Sequence, residues 1–280
     1  MKLLVNSTQA YVYTGGKVWD ASLPCVVFIH GALHDHSVWT LLARWCAHHG
    51  HSVLAVDLPG HGRSAGPVLA SVQAHADWVL ALLDAAGVQQ AAQATLVGHS
   101  MGSLIALEAA ARAPALVNRL VMVGSTYPMN VSAALLATAK TAPLQAIDMV
   151  NSLSISTLAA KPSYPGPGMW LHGSNRALMR RVLAGANAAS AVDAAGGAVV
   201  NLFHHDFSLC DQYSNGLQAA ALVQAQATLV LGAQDQMTPA RSSRDLGAAL
   251  CARTITLPAG HSIAAEDPDG LLAALRQALA

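Results

Sequence analysis

The sequence predicts an α/β fold in which helices cover both faces of a mostly parallel sheet. From residue 26 onward, short apolar runs that suit buried strands alternate with longer stretches of helical composition, beginning with a strand at residues 26–30 and a helix at 38–48. Such alternation is typical of a parallel sheet, because the connection between parallel strands usually carries a helix. Residues 3–18 read instead as two short strands joined by a polar turn, and we expect them to form an antiparallel edge.

The remaining elements continue this alternation, except in one long stretch. Strands are predicted at residues 53–58, 95–97, 120–123, 228–231 and 254–257, and helices at residues 69–86, 104–112, 240–250 and 270–279. Residues 127–211 break the pattern and contain a proline and glycine cluster at 161–168, which cannot form a helix or an inner strand. Since 280 residues suit one core domain with an insertion, we predict a core of residues 1–126 and 212–280 and an insertion at 127–211.

Composition excludes several classes of protein. The formal net charge is zero, which gives no basic face for nucleic acid. No apolar run approaches the roughly 20 residues of a membrane span, and residues 1–5 are too short for a signal-peptide core, so we expect a cytoplasmic protein that does not enter membranes. Four scattered cysteines without a C-x-x-C pair are expected to be reduced packing residues.

The segment from Gly98 to Gly102 reads G-H-S-M-G and lies between a predicted strand and a predicted helix. This is the context of a nucleophile elbow, in which a sharp turn holds a serine hydroxyl clear of the backbone. Glycines on both sides of Ser100 leave the space that such a turn needs. The amide of Met101 opens the following helix, where no helical carbonyl accepts from it, and can face a developing oxyanion.

Four other landmarks accompany the elbow. They are His30-Gly31-Ala32-Leu33 after a strand, D-L-P-G-H-G-R-S at residues 57–64, Gln234-Asp235-Gln236 after a strand, and Gly260-His261-Ser262 near the end. In this order, the chain resembles the α/β-hydrolase family over nearly its whole length, least at residues 127–217. The resemblance implies an eight-stranded, mostly parallel sheet, with the insertion forming a helical cap over the nucleophile.

A serine nucleophile needs a base and a group that orients the base. Histidine is the side chain whose ordinary pKa suits both removal and return of the proton. Among the thirteen histidines, His261 matches the base of the family, and Asp235 matches its acid. The order serine, acid, histidine is the one that this fold uses. His99 and His30 are interpreted as structural residues.

The resemblance also indicates an oxyanion hole and a pocket wall. The backbone amides of Ala32 and Met101 are the expected donors, with Leu33 as an adjacent alternative. Side chains of the insertion are expected to contact the substrate, because a cap forms the wall of the pocket. The candidates are Met129, Trp170, Phe203, His204, His205 and Phe207.

These residues predict a serine hydrolase that cleaves a small-molecule carboxylic ester, lactone or thioester through an acyl-enzyme on Ser100. It would need no cofactor or metal, and could be a monomer or a homodimer. Carbon–carbon bond hydrolases and cofactor-free haloperoxidases of the same fold remain alternatives, whereas Ser100 excludes the aspartate nucleophile of haloalkane dehalogenases. Two alternatives come from other classes: a binding protein that has lost turnover, and a metallo-hydrolase with ligands at His34-Asp35-His36 near His30.

Overall fold

The structure is a computed structural model that describes residues 1–88, 93–156, 171–193 and 201–280. Its strands are β1 (Lys2–Val5), β2 (Thr8–Tyr13), β3 (Cys25–Ile29), β4 (Ser52–Val56), β5 (Ala94–His99), β6 (Val117–Val123), β7 (Gln226–Gly232) and β8 (Arg253–Leu257). They form one eight-stranded sheet in the order β1-β2-β4-β3-β5-β6-β7-β8. The β1–β2 and β2–β4 pairs are antiparallel and the others parallel, which confirms the mostly parallel sheet with an antiparallel edge.

Helices follow most of the parallel strands. They are α1 (Thr40–His48), α2 (Val72–Ala85), α3 (Met101–Arg112), α4 (Ala133–Thr141), α5 (Pro143–Ser154), α6 (Leu171–Asp193), α7 (Leu202–Gln212), α8 (Gly216–Ala220), α9 (Arg244–Ala249), α10 (Ile263–Glu266) and α11 (Pro268–Leu279). The helices predicted at 38–48 and 240–250 instead begin as 3-10 turns, at His36–Trp39 and Ala240–Ser243. Among the described helices, none is long and apolar enough to cross a membrane.

Both faces of the sheet are buried. Successive residues of β3 belong to different apolar clusters, since Val27 packs with Leu82 and Leu104 on one face and Phe28 packs with Trp39 and other residues on the opposite face. Side chains of a strand point alternately to its two faces, so this division confirms that helices cover both. The core therefore fixes the carboxyl ends of the central strands, where the polar landmarks of the sequence lie.

The cysteines partly follow the prediction. All four are free thiols, and Cys25, Cys46 and Cys210 are buried packing residues. Cys251 is exposed, so the prediction of a packing role is wrong there. It follows α9 in the left-handed backbone conformation that ends a helix, with φ of 47°.

Between β6 and β7, the described chain forms helices α4 to α8. Helix α4 packs on α5 and α7, helix α6 packs on α5 and α7, and α7 also contacts α3 of the core. Asn201 caps α7 by accepting from the His204 amide, while its side-chain amide donates to Ala139 O of α4. The predicted loop at 161–168 and Trp170 lie outside the described residues.

Candidate active site

Ser100 lies at the turn between β5 and α3. Its backbone adopts φ of 52° and ψ of −121°, a conformation that costs a residue other than glycine about 1–3 kcal/mol. A side chain on Gly98 would collide with the Gly102 carbonyl, and one on Gly102 would collide with the Ile29 carbonyl. The two glycines therefore allow the turn to be as tight as it is.

Hydrogen bonds hold the backbone of Ser100 on both sides. Its amide donates to Val123 O at the end of β6 at 3.0 Å, and its carbonyl accepts from the Ser103 amide at 2.8 Å. Ser103 is further held by a hydrogen bond of its hydroxyl to Ser125 Oγ at 2.7 Å. The surrounding structure thus maintains the strained backbone and fixes where the Ser100 hydroxyl projects.

Asp235 and His261 lie close together because they follow neighbouring parallel strands, β7 and β8. His261 Nδ1 lies 2.8 Å from Asp235 Oδ2, and both residues are buried. The Met237 and Thr238 amides donate to Asp235 Oδ1, each at 2.8 Å. Asp235 therefore also organises its own turn.

Thr238, which the sequence analysis did not single out, is part of the same network. Its hydroxyl donates to Asp235 Oδ2 at 2.7 Å and lies 3.1 Å from His261 Nδ1. Burial alone would raise the pKa of Asp235, but the electrostatic attraction to His261 and the hydrogen bonds from His261 and Thr238 outweigh burial and lower that pKa. A carboxylate that stays ionised fixes the tautomer of the imidazole, with its proton on Nδ1 and its free lone pair on Nε2.

Ser100 and His261 line one cavity of about 190 Å³. In the described part of the chain, no hydrogen bond joins Ser100 to His261. Such contacts are often long in unliganded enzymes and tighten when substrate binds. The cavity therefore presents the hydroxyl and the imidazole to the same bound molecule.

His99 precedes the serine without taking part in this pair. Its Nε2 donates to the backbone carbonyl of His261 at 3.0 Å. Burial and the nearby charge of His261 lower the pKa of His99 to about 3, so the ring is neutral at physiological pH. His30 is also neutral, because burial and the charge of His61 lower its pKa to about 3. These contacts support the interpretation of His99 and His30 as structural residues.

The predicted oxyanion donors differ in availability. Ala32 lines the cavity beside Ser100, and Met101 is the first residue of α3. Neither amide has a hydrogen-bond acceptor within the residues that the structure describes. The Leu33 amide, in contrast, donates to Asp206 Oδ2 at 2.8 Å. The alternative donor Leu33 is therefore withdrawn, since using it would break a buried hydrogen bond to a carboxylate.

Only some of the residues predicted to form the pocket wall line the cavity. Met129 and Phe207 line it. Phe203 is fully buried and packs edge-to-face on Phe207, with ring centroids 4.8 Å apart. His205 donates through Nε2 to Leu69 O at 3.0 Å, and His204 is half-buried outside the described lining. Phe203, His204 and His205 are therefore removed from the proposed wall, and Trp170 lies outside the described residues.

Several lining residues were not predicted. They include the apolar side chains of Val131, Leu135 and Leu153 and the polar side chains of Asn130, Ser132 and Gln236. Residues 130–135 directly follow Met129, whereas Gln236 belongs to the Asp235 turn. Proximity to these landmarks is the signal that could have identified them.

The proposed metal ligands each have a protein partner. His34 Nε2 lies 2.9 Å from Asn175 Oδ1, and His30 Nε2 accepts from the Leu58 amide at 3.2 Å. Asp35, His36 and Asp57 place ligand atoms within 4.8 Å of one another, but His36 Nδ1 already lies 2.7 Å from Asp57 Oδ1. Asp35 is paired with Arg181 at 2.7 Å, and an arginine there opposes a cation. Among the described residues, Asp35 and His36 are therefore grouped with Asp57 and not with His30 or His34.

Comparisons with known proteins agree with this architecture. A family model described as the alpha/beta hydrolase fold matches residues 24–268. An sn-1-specific diacylglycerol lipase of Mus musculus is 37% identical over 105 residues, which cover 37% of this chain and 33% of the lipase. An esterase of Mycobacterium tuberculosis is 37% identical over 124 residues, which cover 39% of this chain and 35% of the esterase. The matched segments thus span about a third of the length of these relatives.

Among solved structures, an enol-lactonase from Burkholderia xenovorans has a similar fold. Its TM-score is 0.80 at 19% sequence identity, with 100% of this chain and 99% of the lactonase covered. An esterase described as thermophilic gives a TM-score of 0.74 at 21% identity, with 99% and 95% covered. At such identities the likeness concerns the fold. Because the family model matches most of the chain, the chain belongs to the α/β-hydrolase-fold family.

Proposed function

We propose that the protein is a serine hydrolase that cleaves a small-molecule carboxylic ester through an acyl-enzyme on Ser100. The observation that carries the proposal is the cavity that Ser100 shares with His261, whose Nδ1 is held by Asp235 at 2.8 Å. A nucleophile, a base and a group that orients the base are the set that acyl transfer requires.

In the proposed reaction, His261 Nε2 accepts the hydroxyl proton as Ser100 Oγ attacks the ester carbonyl carbon. The Met101 and Ala32 amides donate to the oxyanion of the tetrahedral intermediate. Such donors lower the barrier because they stabilise the negative charge that develops in the transition state. His261 then protonates the leaving alkoxide as the ester bond breaks. A water molecule, deprotonated by His261, attacks the acyl-enzyme, and Ser100 leaves with its proton restored.

Asp235 supports both halves of this cycle without exchanging a proton. Its lowered pKa keeps it charged, so it stabilises the imidazolium that forms in each step. Thr238 supports this role by donating to the same Asp235 oxygen that faces His261. The carboxylate therefore enters each turnover already ionised and already oriented.

The cavity suggests a substrate of modest size. Its volume of about 190 Å³ suits a short acyl chain, and the apolar side chains of Met129, Leu135 and Phe207 suit an aliphatic or aromatic group. Asn130, Ser132 and Gln236 add polar groups to the same lining. The names of the relatives support an ester or a lactone, and one mechanism serves both because the bond that breaks is the same.

We further propose that residues 127–211 form the cap. Met129, Leu135, Leu153, Phe207 and Cys210 belong to this stretch and line the cavity above Ser100. They supply much of the described wall, whereas residues of the core supply the reacting groups. The insertion would then select the substrate, and the core would carry out the reaction.

Hydrolysis of p-nitrophenyl esters from acetate to octanoate tests the proposal. We expect turnover that favours the short esters, and a fall in kcat of roughly four to six orders of magnitude in Ser100→Ala, because the reacting groups act as a unit. Circular dichroism would verify that the variant is folded. Turnover by the folded variant near the wild-type rate would contradict the role of Ser100. Binding of esters by the wild-type protein without any turnover would instead support the binding-protein alternative.

A further inference from the structure

Asp206 joins three separate segments of the chain. It lies on α7 in the proposed cap and is fully buried. Its Oδ2 accepts from the Leu33 amide in the loop after β3, at 2.8 Å, and from His61 Nε2 in the loop after β4, at 2.9 Å. One carboxylate oxygen of the cap therefore holds two loops of the core.

The first of these loops carries the proposed oxyanion donor, Ala32. Leu33 has φ of 53°, a left-handed conformation that is unfavourable for a leucine and needs outside support. The peptide unit between Ala32 and Leu33 is held at both ends, since its carbonyl faces His34 Nδ1 at 2.7 Å and its amide donates to Asp206. The orientation of this peptide is thus set by two fixed side chains.

The preceding peptide unit, between Gly31 and Ala32, has hydrogen bonds at its carbonyl end only. Its carbonyl, Gly31 O, lies 2.8 Å from His30 Nδ1 and accepts from the His34 amide at 3.3 Å. Of the two carbonyls and two amides in these peptide units, the Ala32 amide is the one without a hydrogen-bond partner in the described part of the chain. The hydrogen bonds of the loop therefore leave one donor for a ligand, and it belongs to a residue that lines the cavity.

Charge strengthens the hold of Asp206 on the loop. Burial alone would raise the pKa of Asp206. The charge of His61 and its hydrogen bond have a larger effect in the opposite direction, so the pKa is lowered and the carboxyl is ionised. Burial lowers the pKa of His61, but Asp206 more than compensates and raises it. His61 Nδ1 also faces an acceptor, Pro59 O at 3.1 Å, as suits an imidazolium. A hydrogen bond from an amide to a carboxylate is stronger than one to a neutral acceptor.

We propose that Asp206 is a positioning residue for the reaction: by fixing the Ala32–Leu33 peptide, it holds the Ala32 amide where the oxyanion forms. Asp206 itself touches neither substrate nor oxyanion. The inference rests on the proposed function, and it extends that function by making the geometry of the oxyanion hole depend on the cap. A core loop would then adopt its active form only with α7 in place.

The test compares two substitutions of Asp206 in the full chain. Asp206→Leu removes the acceptor of the Leu33 amide. Asp206→Asn keeps an oxygen as that acceptor and puts the NH2 group in place of Oδ1, the carboxylate oxygen that has no hydrogen-bond partner among the described residues. We expect Asp206→Leu to lower kcat for p-nitrophenyl acetate about 100-fold with little change in KM, because a misplaced group costs about that much. Asp206→Asn should lose less than about 10-fold, since a neutral acceptor is weaker but still present.

Hydrogen exchange of the Leu33 amide, followed by NMR, is the second readout. We expect it to quicken in Asp206→Leu and to stay slow in Asp206→Asn. Leu202→Ala is the control, since Leu202 is buried in the same helix and its side chain accepts no hydrogen bond. It should lower Tm and leave kcat and the exchange of Leu33 at wild-type values.

Wild-type kcat or wild-type Leu33 exchange in folded Asp206→Leu would overturn the proposal, as would an equal loss of kcat in Leu202→Ala. Where Asp206→Leu does not fold, Asp206→Ala makes the same comparison. If the wild-type protein hydrolyses no ester, the proposed function fails. The exchange of Leu33 would then still show whether Asp206 fixes the loop.

Discussion

The protein contains two buried pairs of a carboxylate and a histidine whose hydrogen-bond distances are nearly equal. Asp235 and His261 are 2.8 Å apart, and Asp206 and His61 are 2.9 Å apart. In each pair, one oxygen of the carboxylate faces one nitrogen of the imidazole. The pairs differ in what the second nitrogen of each ring can do.

His261 uses Nδ1 for Asp235 and lines the cavity with Ser100, so its Nε2 is available to a reacting group. His61 uses Nε2 for Asp206 and Nδ1 for Pro59 O, and it is buried away from the described cavity. A histidine with both nitrogens engaged can hold a charge but cannot pass a proton to substrate. In our two proposals, the same chemical pair therefore serves proton transfer in one place and positioning in the other.

The largest contrast is expected when the same substitution is made in both carboxylates. Asp235→Asn should lower kcat by about four orders of magnitude, because an amide stabilises the wrong tautomer of His261. Asp206→Asn should lower it by less than about 10-fold, since the hydrogen bond to Leu33 is kept in weaker form. Steady-state hydrolysis of p-nitrophenyl acetate by both variants measures the difference.

Equal losses of kcat in Asp235→Asn and Asp206→Asn would contradict the assignment of proton transfer to one pair and positioning to the other. A small loss in Asp235→Asn with a large loss in Asp206→Asn would reverse the assignment of the acid. The Tm of each variant shows whether a loss of rate follows a loss of folded protein.

A smaller contrast is expected between two phenylalanines of α7. Phe207 lines the cavity, whereas Phe203 packs behind it. Phe207→Ala should shift the preference between neighbouring acyl lengths by roughly 10- to 200-fold, the range for one methylene in an apolar pocket. Phe203→Leu is the matched control and should leave the ratio of rates unchanged. An ester series measures both, and a similar shift in the two variants would argue against Phe207 as a wall residue.

The smallest effect concerns stability and pH. The pKa of Asp206 is lowered, so its contribution is present above the unfolded value of about 3.9 and is lost as pH falls through the folded value. The pKa of His61 is raised, so its contribution is full below the unfolded value of about 6.5 and is lost as pH rises through the folded value. The ion pair should therefore contribute most between about pH 4 and 6.5.

Thermal unfolding of the wild-type protein and His61→Gln tests this window. The difference in Tm should be largest near pH 5.5 and should narrow by pH 9, since the glutamine keeps a donor but no charge. His99 has a lowered pKa of about 3, mainly through burial, so it destabilises both proteins in acid and cancels in the comparison. The charge of His61 helps to lower the pKa values of His30 and His75 to about 3 and 4, so the contribution of these two residues differs between the proteins, but only in acid, below this window. If the difference in Tm between the wild-type protein and His61→Gln grew steadily with pH, it would contradict a charged His61.

The two pairs also differ in how far the sequence predicts them. The strand order puts the ends of β7 and β8 side by side, so the turns that carry Asp235 and His261 could be predicted to meet. Asp206 and His61 are 145 residues apart, and their contact depends on how α7 docks on the core. Nothing in the local sequence determines that docking.

The same limit explains the mistakes in the predicted wall. The sequence analysis predicts that Phe203, His204, His205 and Phe207 all contact the substrate. They lie on one helix, in which successive side chains point in different directions. Phe207 faces the cavity, Asp206 faces the core loops, and His205 donates to Leu69 O. The sequence places such residues on a helix, but the face that meets the substrate is decided by tertiary packing.

The central proposal, an acyl-enzyme on Ser100, is tested most directly by the site of covalent labelling. The protein is treated with a fluorophosphonate, digested, and analysed by tandem mass spectrometry. We expect one adduct, on Ser100, which forms rapidly in the wild-type protein, slowly in Asp235→Asn and not in Ser100→Ala. Failure to label Ser100 while ester turnover continues, or rapid labelling of another residue such as Ser103, would contradict the proposal.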